Sequence, residues 1–196
     1  MSLPPDYFSL ASNFLDLSES IITQMIKSGN PAGSFISSDP KETLEERHKE
    51  SVRWSDQNVA IPLLFNFYHG LELTLKGMLS PIGKIPKEKS HKLSYLLEVL
   101  ENNSEVNSNF STIVKKYSGI DNQFSPLFKK NALTGDQFYQ IFKYPELSQE
   151  KQFDFSSIHH QEEISLDMFI ELKDNIGEIH RLKEQWWQEN RHLSNY

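Results

Sequence analysis

Four side chains able to handle protons and charge, Asn66, His69, Glu72 and Lys76, recur along one stretch of the chain at intervals of three and four. At about 100° per residue they fall within roughly one third of a helix's circumference. His69 and Glu72 are neighbours at i,i+3, and Glu72 and Lys76 at i,i+4 in the favourable order of charge. A histidine titrates near neutral pH and an adjacent carboxylate tunes it. The stripe therefore reads as a general acid/base set, or as a site for a nucleotide or another small molecule. The same spacing also describes a solvated or helix-interface stripe held by one ion pair. Charged sides opposite apolar ones are the ordinary state of helices, so this second reading takes precedence.

Other chemistry is scarce. His159-His160-Gln161-Glu162-Glu163 invites a metal, but adjacent ligands point in different directions and no His-Glu-x-x-His spacing occurs. An exposed polar linker is the better reading. There is no glycine-rich dinucleotide fingerprint, phosphate-binding loop or Gly-x-Ser-x-Gly. The chain has no cysteine, which excludes disulfides, thiolate metal sites and cysteine catalysis. No metal and no cofactor is expected.

The elements that must position these residues follow from apolar spacing. Tyr7–Lys27 reads as a helix, with Tyr7, Leu10, Phe14, Leu17, Ile21 and Met25 recurring every three or four residues. Gly29-Asn30-Pro31 ends it. Asp39-Pro40-Lys41-Glu42 is a helix start, leading a polar segment to Asn58. Pro62 then kinks that helix or begins another, the most apolar of the chain, whose core face is Leu64, Phe65, Tyr68, Leu71, Leu75, Met78 and Leu79. After the break at Pro81–Pro86, Ser90 is placed to cap a helix with Leu93, Leu96, Leu97 and Leu100. Val106 to Tyr117 forms the next, with Gly119 at its end, and Ser125–Lys130 one short turn. Residues 135–160 carry six aromatics without a sustained helical period. Gln137–Tyr144 and Gln152–Ile158 look extended, as a small hairpin or ordered loop. Ser165 caps the last helix, with Leu166, Phe169, Ile170, Ile176, Ile179 and Trp186 inward. The expected fold is all-α, a bundle of five or six helices with one aromatic-rich insertion before the last.

Bulk composition sets the frame. The 196 residues suit one domain spanning residues 1–196, and 37% hydrophobic with 24% charged residues is ordinary for a globular core. No run approaches about 18 consecutive apolar residues, so no membrane span is expected. The first residues lack a basic region followed by an apolar one, so no secretory signal is expected either, and a cytoplasmic location fits. The formal charge of −7 opposes a grip on many nucleic-acid phosphates, although RNA or a nucleotide could still meet a local basic patch.

The run Phe67–Leu79, FYHGLELTLKGML, followed by Ser90–Leu97, SHKLSYLL, resembles the HEPN superfamily. Its members carry a helix of the form (aromatic)xx(A/G)LELxLKxxL and then a G/S-H-x-L helix. The resemblance implies a small helical bundle, a homodimer, and work in bacterial toxin–antitoxin, defence or nucleotide-transfer systems; for this chain a protein partner is a further expectation. Catalytic members resemble metal-independent ribonucleases with an arginine four to six residues before a histidine on a late helix. That pair would act on the 2′-hydroxyl and the phosphate. This chain departs there. Its nearest approach is Lys173 and His180, two turns apart on one helix face, and lysine lacks arginine's planar fork. His91, in the second motif segment, reads as structural. Of Trp186-Trp187, one packs and the other is free to meet a partner surface. The leading expectation is a non-catalytic, homodimeric interaction or regulatory module. A divergent ribonuclease using Lys173 and His180 across a dimer interface is the alternative.

Overall fold

The computed structural model describes residues 6–30, 43–88, 91–119, 124–143 and 166–194. The described residues form eight α-helices: α1 Tyr7–Ser28, α2 Leu44–Val52, α3 Asp56–Leu79, α4 Leu93–Asn103, α5 Ser108–Ser118, α6 Ser125–Lys130, α7 Gly135–Lys143 and α8 Leu166–Asn190. A 3-10 turn, Arg191–Ser194, follows. The bundle is all-α as expected, but eight helices replace the five or six read from the sequence.

The corrections have local causes. The polar segment does not run unbroken to Asn58. It divides into α2, started by a capping box between Thr43 and Glu46, and α3, which begins at Asp56 and carries Pro62 inside it. Asn30 makes that earlier start possible. Gly29 ends α1 in the left-handed conformation, with Gly29 N–H and Asn30 N–H donating to Ile26 and Met25. The buried Asn30 then turns its side chain to α3. Its Oδ1 accepts from Asp56 N–H at 2.7 Å, and its Nδ2 donates to Asp56 Oδ2 at 3.1 Å.

The expected strand Gln137–Tyr144 is helical through Lys143. Thr134 and Gln137 form a reciprocal cap: Gln137 N–H donates to the Thr134 hydroxyl at 3.2 Å, and Thr134 N–H to the Gln137 side chain at 2.9 Å. Far from being an appended insertion, this stretch puts Phe138 and Tyr139 into the core beside Phe124 and Phe128. The proposed start at Asp39–Glu42, the caps Ser90 and Ser165, and the second strand Gln152–Ile158 lie outside the described residues.

α3 lies at the centre, packed by α1, α4, α7 and α8. From Gly70 to Leu75 every residue is buried, so this helix has no solvent face there. Phe65, expected inside, is half-buried, whereas Leu63, Phe67 and Leu73 are buried. α1 runs antiparallel to it. Leu15 packs on Gly70 and Phe8 on Gly77, where an added Cβ would come within 2.8 and 2.7 Å of those side chains. α8 in turn runs antiparallel to α1, with Trp186 and Trp187 both edge-on to Phe8. Trp186 is buried and Trp187 half-buried.

α7 is seated against the end of α5 at one tight point. A Cβ on Gly135 would stand 2.0 Å from the Tyr117 carbonyl oxygen, a backbone atom that cannot swing aside. Gly135→Ala is therefore expected to cost about 3 kcal/mol through forced separation of α5 and α7. Urea denaturation measures it, and a loss no larger than that of an exposed substitution would contradict the packing described.

Candidate functional site

The stripe on α3 is divided by its neighbours. Asn66 is half-buried. His69 turns into an aromatic nest built by three helices. Its Nδ1 meets the hydroxyl of fully buried Tyr139 from α7, Phe14 of α1 lies edge-on at 4.4 Å, and Phe65 stacks at 6.1 Å. Glu72 faces elsewhere and is only 1% exposed. Its Oε1 accepts from Lys76 Nζ at 2.6 Å and lies 2.9 Å from His91 Nδ1. The i,i+4 pair read from the sequence is thus present and largely buried, and His91 completes it.

A carboxylate so deep must be neutralised and hydrogen-bonded to be tolerated. Lys76 supplies the charge through a flexible stem, and His91 supplies a second donor. With Glu72 ionised, the contact places the imidazole proton on Nδ1 and fixes the ring. His91 is half exposed, so it is a tethered ring just before α4. The arrangement holds two helices together; Glu72, already engaged by two donors, is poorly placed to take a proton from a substrate.

The start of α4 shows a residue the sequence reading missed. Asp136 of α7 accepts from Leu93 N–H at 2.6 Å, Ser94 N–H at 3.3 Å and the Ser94 hydroxyl at 2.5 Å. It therefore caps a helix 42 and 43 residues away. No local pattern around Asp136 signals this.

Lys173 and His180 do share a face of α8, and that face is turned to α1. Lys173 Nζ lies 3.9 Å from Glu19 Oε1. His180 Nε2 lies 3.1 Å from Asp16 Oδ1, close enough for an ion pair but without the alignment of a hydrogen bond. One turn on, buried Lys183 donates to the Ser12 hydroxyl. Burial, with the Lys183 ammonium nearby, pushes His180 below the usual imidazole range, against the pull of Asp16 and Glu19. Burial likewise lowers Lys183. Asp16 and Glu19 also place two negative charges where a ribonuclease would need to receive a phosphate.

Among the described residues no group of three His, Cys, Asp or Glu side chains could hold a metal ion. His159–Glu163 lies outside them. An open depression between α4 and α5, crossed by the Lys115–Glu101 ion pair, includes none of the candidates. No helix among the described residues is long and apolar enough to cross a membrane. Comparison of the chain with protein-family models, curated proteins and solved structures returns no match.

Two outcomes follow from this geometry. Glu72→Leu alone leaves the Lys76 ammonium without its carboxylate and should lower stability by about 3 kcal/mol, whereas adding Lys76→Met should recover most of that loss. Strictly additive losses in urea titrations would contradict a coupled pair. For His180, the folded-state value lies below the unfolded one. Its contribution is complete above about pH 6.5 and is lost as pH falls through the folded value. Between about pH 7 and pH 5.5 the urea midpoint of the native protein should fall more steeply than that of His180→Asn. Parallel curves would show that His180 is not held neutral.

Proposed function

We propose that this chain is a non-catalytic, HEPN-like interaction or regulatory module that works as a homodimer, in a stress, defence or toxin–antitoxin setting. The observation that carries the reading is the fate of Lys173 and His180. Both are engaged by carboxylates of α1, in a seam that also buries Lys183 against Ser12. A pair recruited to hold α8 on α1 is not presented to a 2′-hydroxyl and a phosphate. The charge of −7 points the same way, since it discourages a phosphate backbone.

The resemblance to the HEPN superfamily gains a physical meaning from the contacts. Its two motif segments, Phe67–Leu79 and Ser90–Leu97, meet through Glu72 and His91. In this reading the motif specifies a joint between helices and leaves function to the surface. Association is supported by exposed apolar side chains on α1, where Leu10 and Leu17 are 45% and 48% exposed.

Light scattering on the purified protein should give twice the chain mass of 22.8 kDa. Single-stranded RNA incubated with it in the presence of a chelator should stay intact. Metal-independent cleavage that disappears in His180→Ala would overturn the non-catalytic reading, and a monomer at every concentration would overturn the homodimer.

A further inference from the structure

The first helix has three different faces. Ala11, Leu15, Ser18, Ile22 and Met25 are buried, with Leu15 on Gly70 and Ser18 near Leu63 of α3. Phe8, Ser12, Asp16 and Glu19 meet α8. A third set, Leu10, Phe14, Leu17 and Ile21, lies within about 60° of arc on the side away from α8, with Phe14 half-buried against His69 and Ile21 half-buried against the core. Leu10 and Leu17 are two of the three large apolar side chains exposed among the described residues. Among those residues, α1's packing within the chain does not call for apolar side chains at these two positions.

We propose that this stripe is where a second copy of the chain docks, α1 against α1, antiparallel about a twofold axis beside Leu15 and Asp16. The inference rests on the self-association proposed above and adds its surface and geometry. Closed twofold assembly requires one patch that is complementary to itself. The stripe has that property in its order. About the centre between Leu15 and Asp16, Leu10 stands opposite Ile21 and Phe14 opposite Leu17, so each exposed leucine meets the outer edge of a half-buried apolar side chain. Charge agrees with the antiparallel sense. Asp6 caps the start of α1 and Lys27 lies in its last turn, both exposed and on the same flank of the stripe. Antiparallel docking brings Lys27 within about 3 Å of axial rise from the partner copy's aspartate at position 6, and it opposes the two helix dipoles. Parallel docking would set like charges side by side at both ends. A membrane surface fits poorly, because Asp6, Asp16 and Glu19 outnumber the single Lys27 along this helix and would meet anionic headgroups with like charge.

The absence of cysteine makes a direct test available, since Leu17→Cys would introduce the only thiol in the chain. Antiparallel docking puts the two position-17 Cα atoms about 4.5 Å apart along the helix axis, within disulfide reach across closely packed helices. Mild oxidation should convert most of the Leu17→Cys protein to a covalent dimer, while Asn102→Cys, exposed on α4, stays uncoupled. The double variant Leu10→Asp/Leu17→Asp should halve the mass seen by light scattering without changing the circular dichroism spectrum, both positions being about half exposed. A native dimer whose mass survives the double variant, and whose Leu17→Cys form does not couple, overturns this surface while leaving self-association intact. A native monomer overturns both.

Discussion

Glu72 is a carboxylate on a helix that is buried on every side between Gly70 and Leu75, and much of the bundle is arranged around keeping it neutralised. Lys76 answers the charge from the next turn, but a buried carboxylate needs more than one donor. His91 fills that need from just before α4. The start of α4 must then be held, and it is held from a third helix, by Asp136 at Leu93 and Ser94. Asp136 can reach because Gly135 lets α7 come up against the Tyr117 carbonyl. Tyr117 is itself fixed by Tyr68, which donates to its carbonyl at 2.8 Å, and by Asn175 at 2.7 Å on its hydroxyl. Glu72 on α3 is thus linked to α4, α7, α5 and α8 by a series of contacts that begins at the half-exposed His91.

The opposite side of α3 works by closeness instead of charge. Gly70 and Gly77, two turns apart, admit Leu15 and Phe8. Ser18 spends its hydroxyl on the Phe14 carbonyl at 2.9 Å while resting on α3 near Leu63. α1 can then carry α8 on its next face, through Lys173, His180, Lys183 and the two tryptophans. A residue type able to do catalysis is here absorbed into helix packing. Lys183 shows it best, with a pKa lowered by burial and a serine hydroxyl for company.

How much of this was legible in the sequence depended on the range of the contact. That α1, α4, α5 and α8 are helices followed from apolar spacing, but the buried face did not always: α1 buries Ala11, Leu15, Ser18, Ile22 and Met25 and leaves Leu10 and Leu17 exposed, and Ile170, expected inward on α8, is exposed too. The Glu72–Lys76 pair was likewise legible from spacing. α7 was misread because Phe138, Tyr139 and Phe142 are strand-favouring types, although the Thr134–Gln137 cap and the helical spacing of those aromatics are local features of the chain. The start of α3 at Asp56 was not legible, since its cap comes from Asn30, 26 residues earlier. Asp136 on α4 and Asp16 on His180 were equally out of reach of any local pattern. That Lys173 and His180 share a face followed from spacing; what occupies that face did not.

That division explains why the stripe on α3 looked like a site. Spacing alone placed Asn66, His69, Glu72 and Lys76 on one third of a helix, which is what a site needs and also what a buried helix needs when several neighbours touch it. The difference lies in who answers each polar atom. Here Tyr139 meets His69, and Lys76 with His91 meets Glu72, so the answers come from the protein's own helices. On the central helix these polar atoms therefore join helices, and among the described residues two of the three exposed large apolar side chains are on α1.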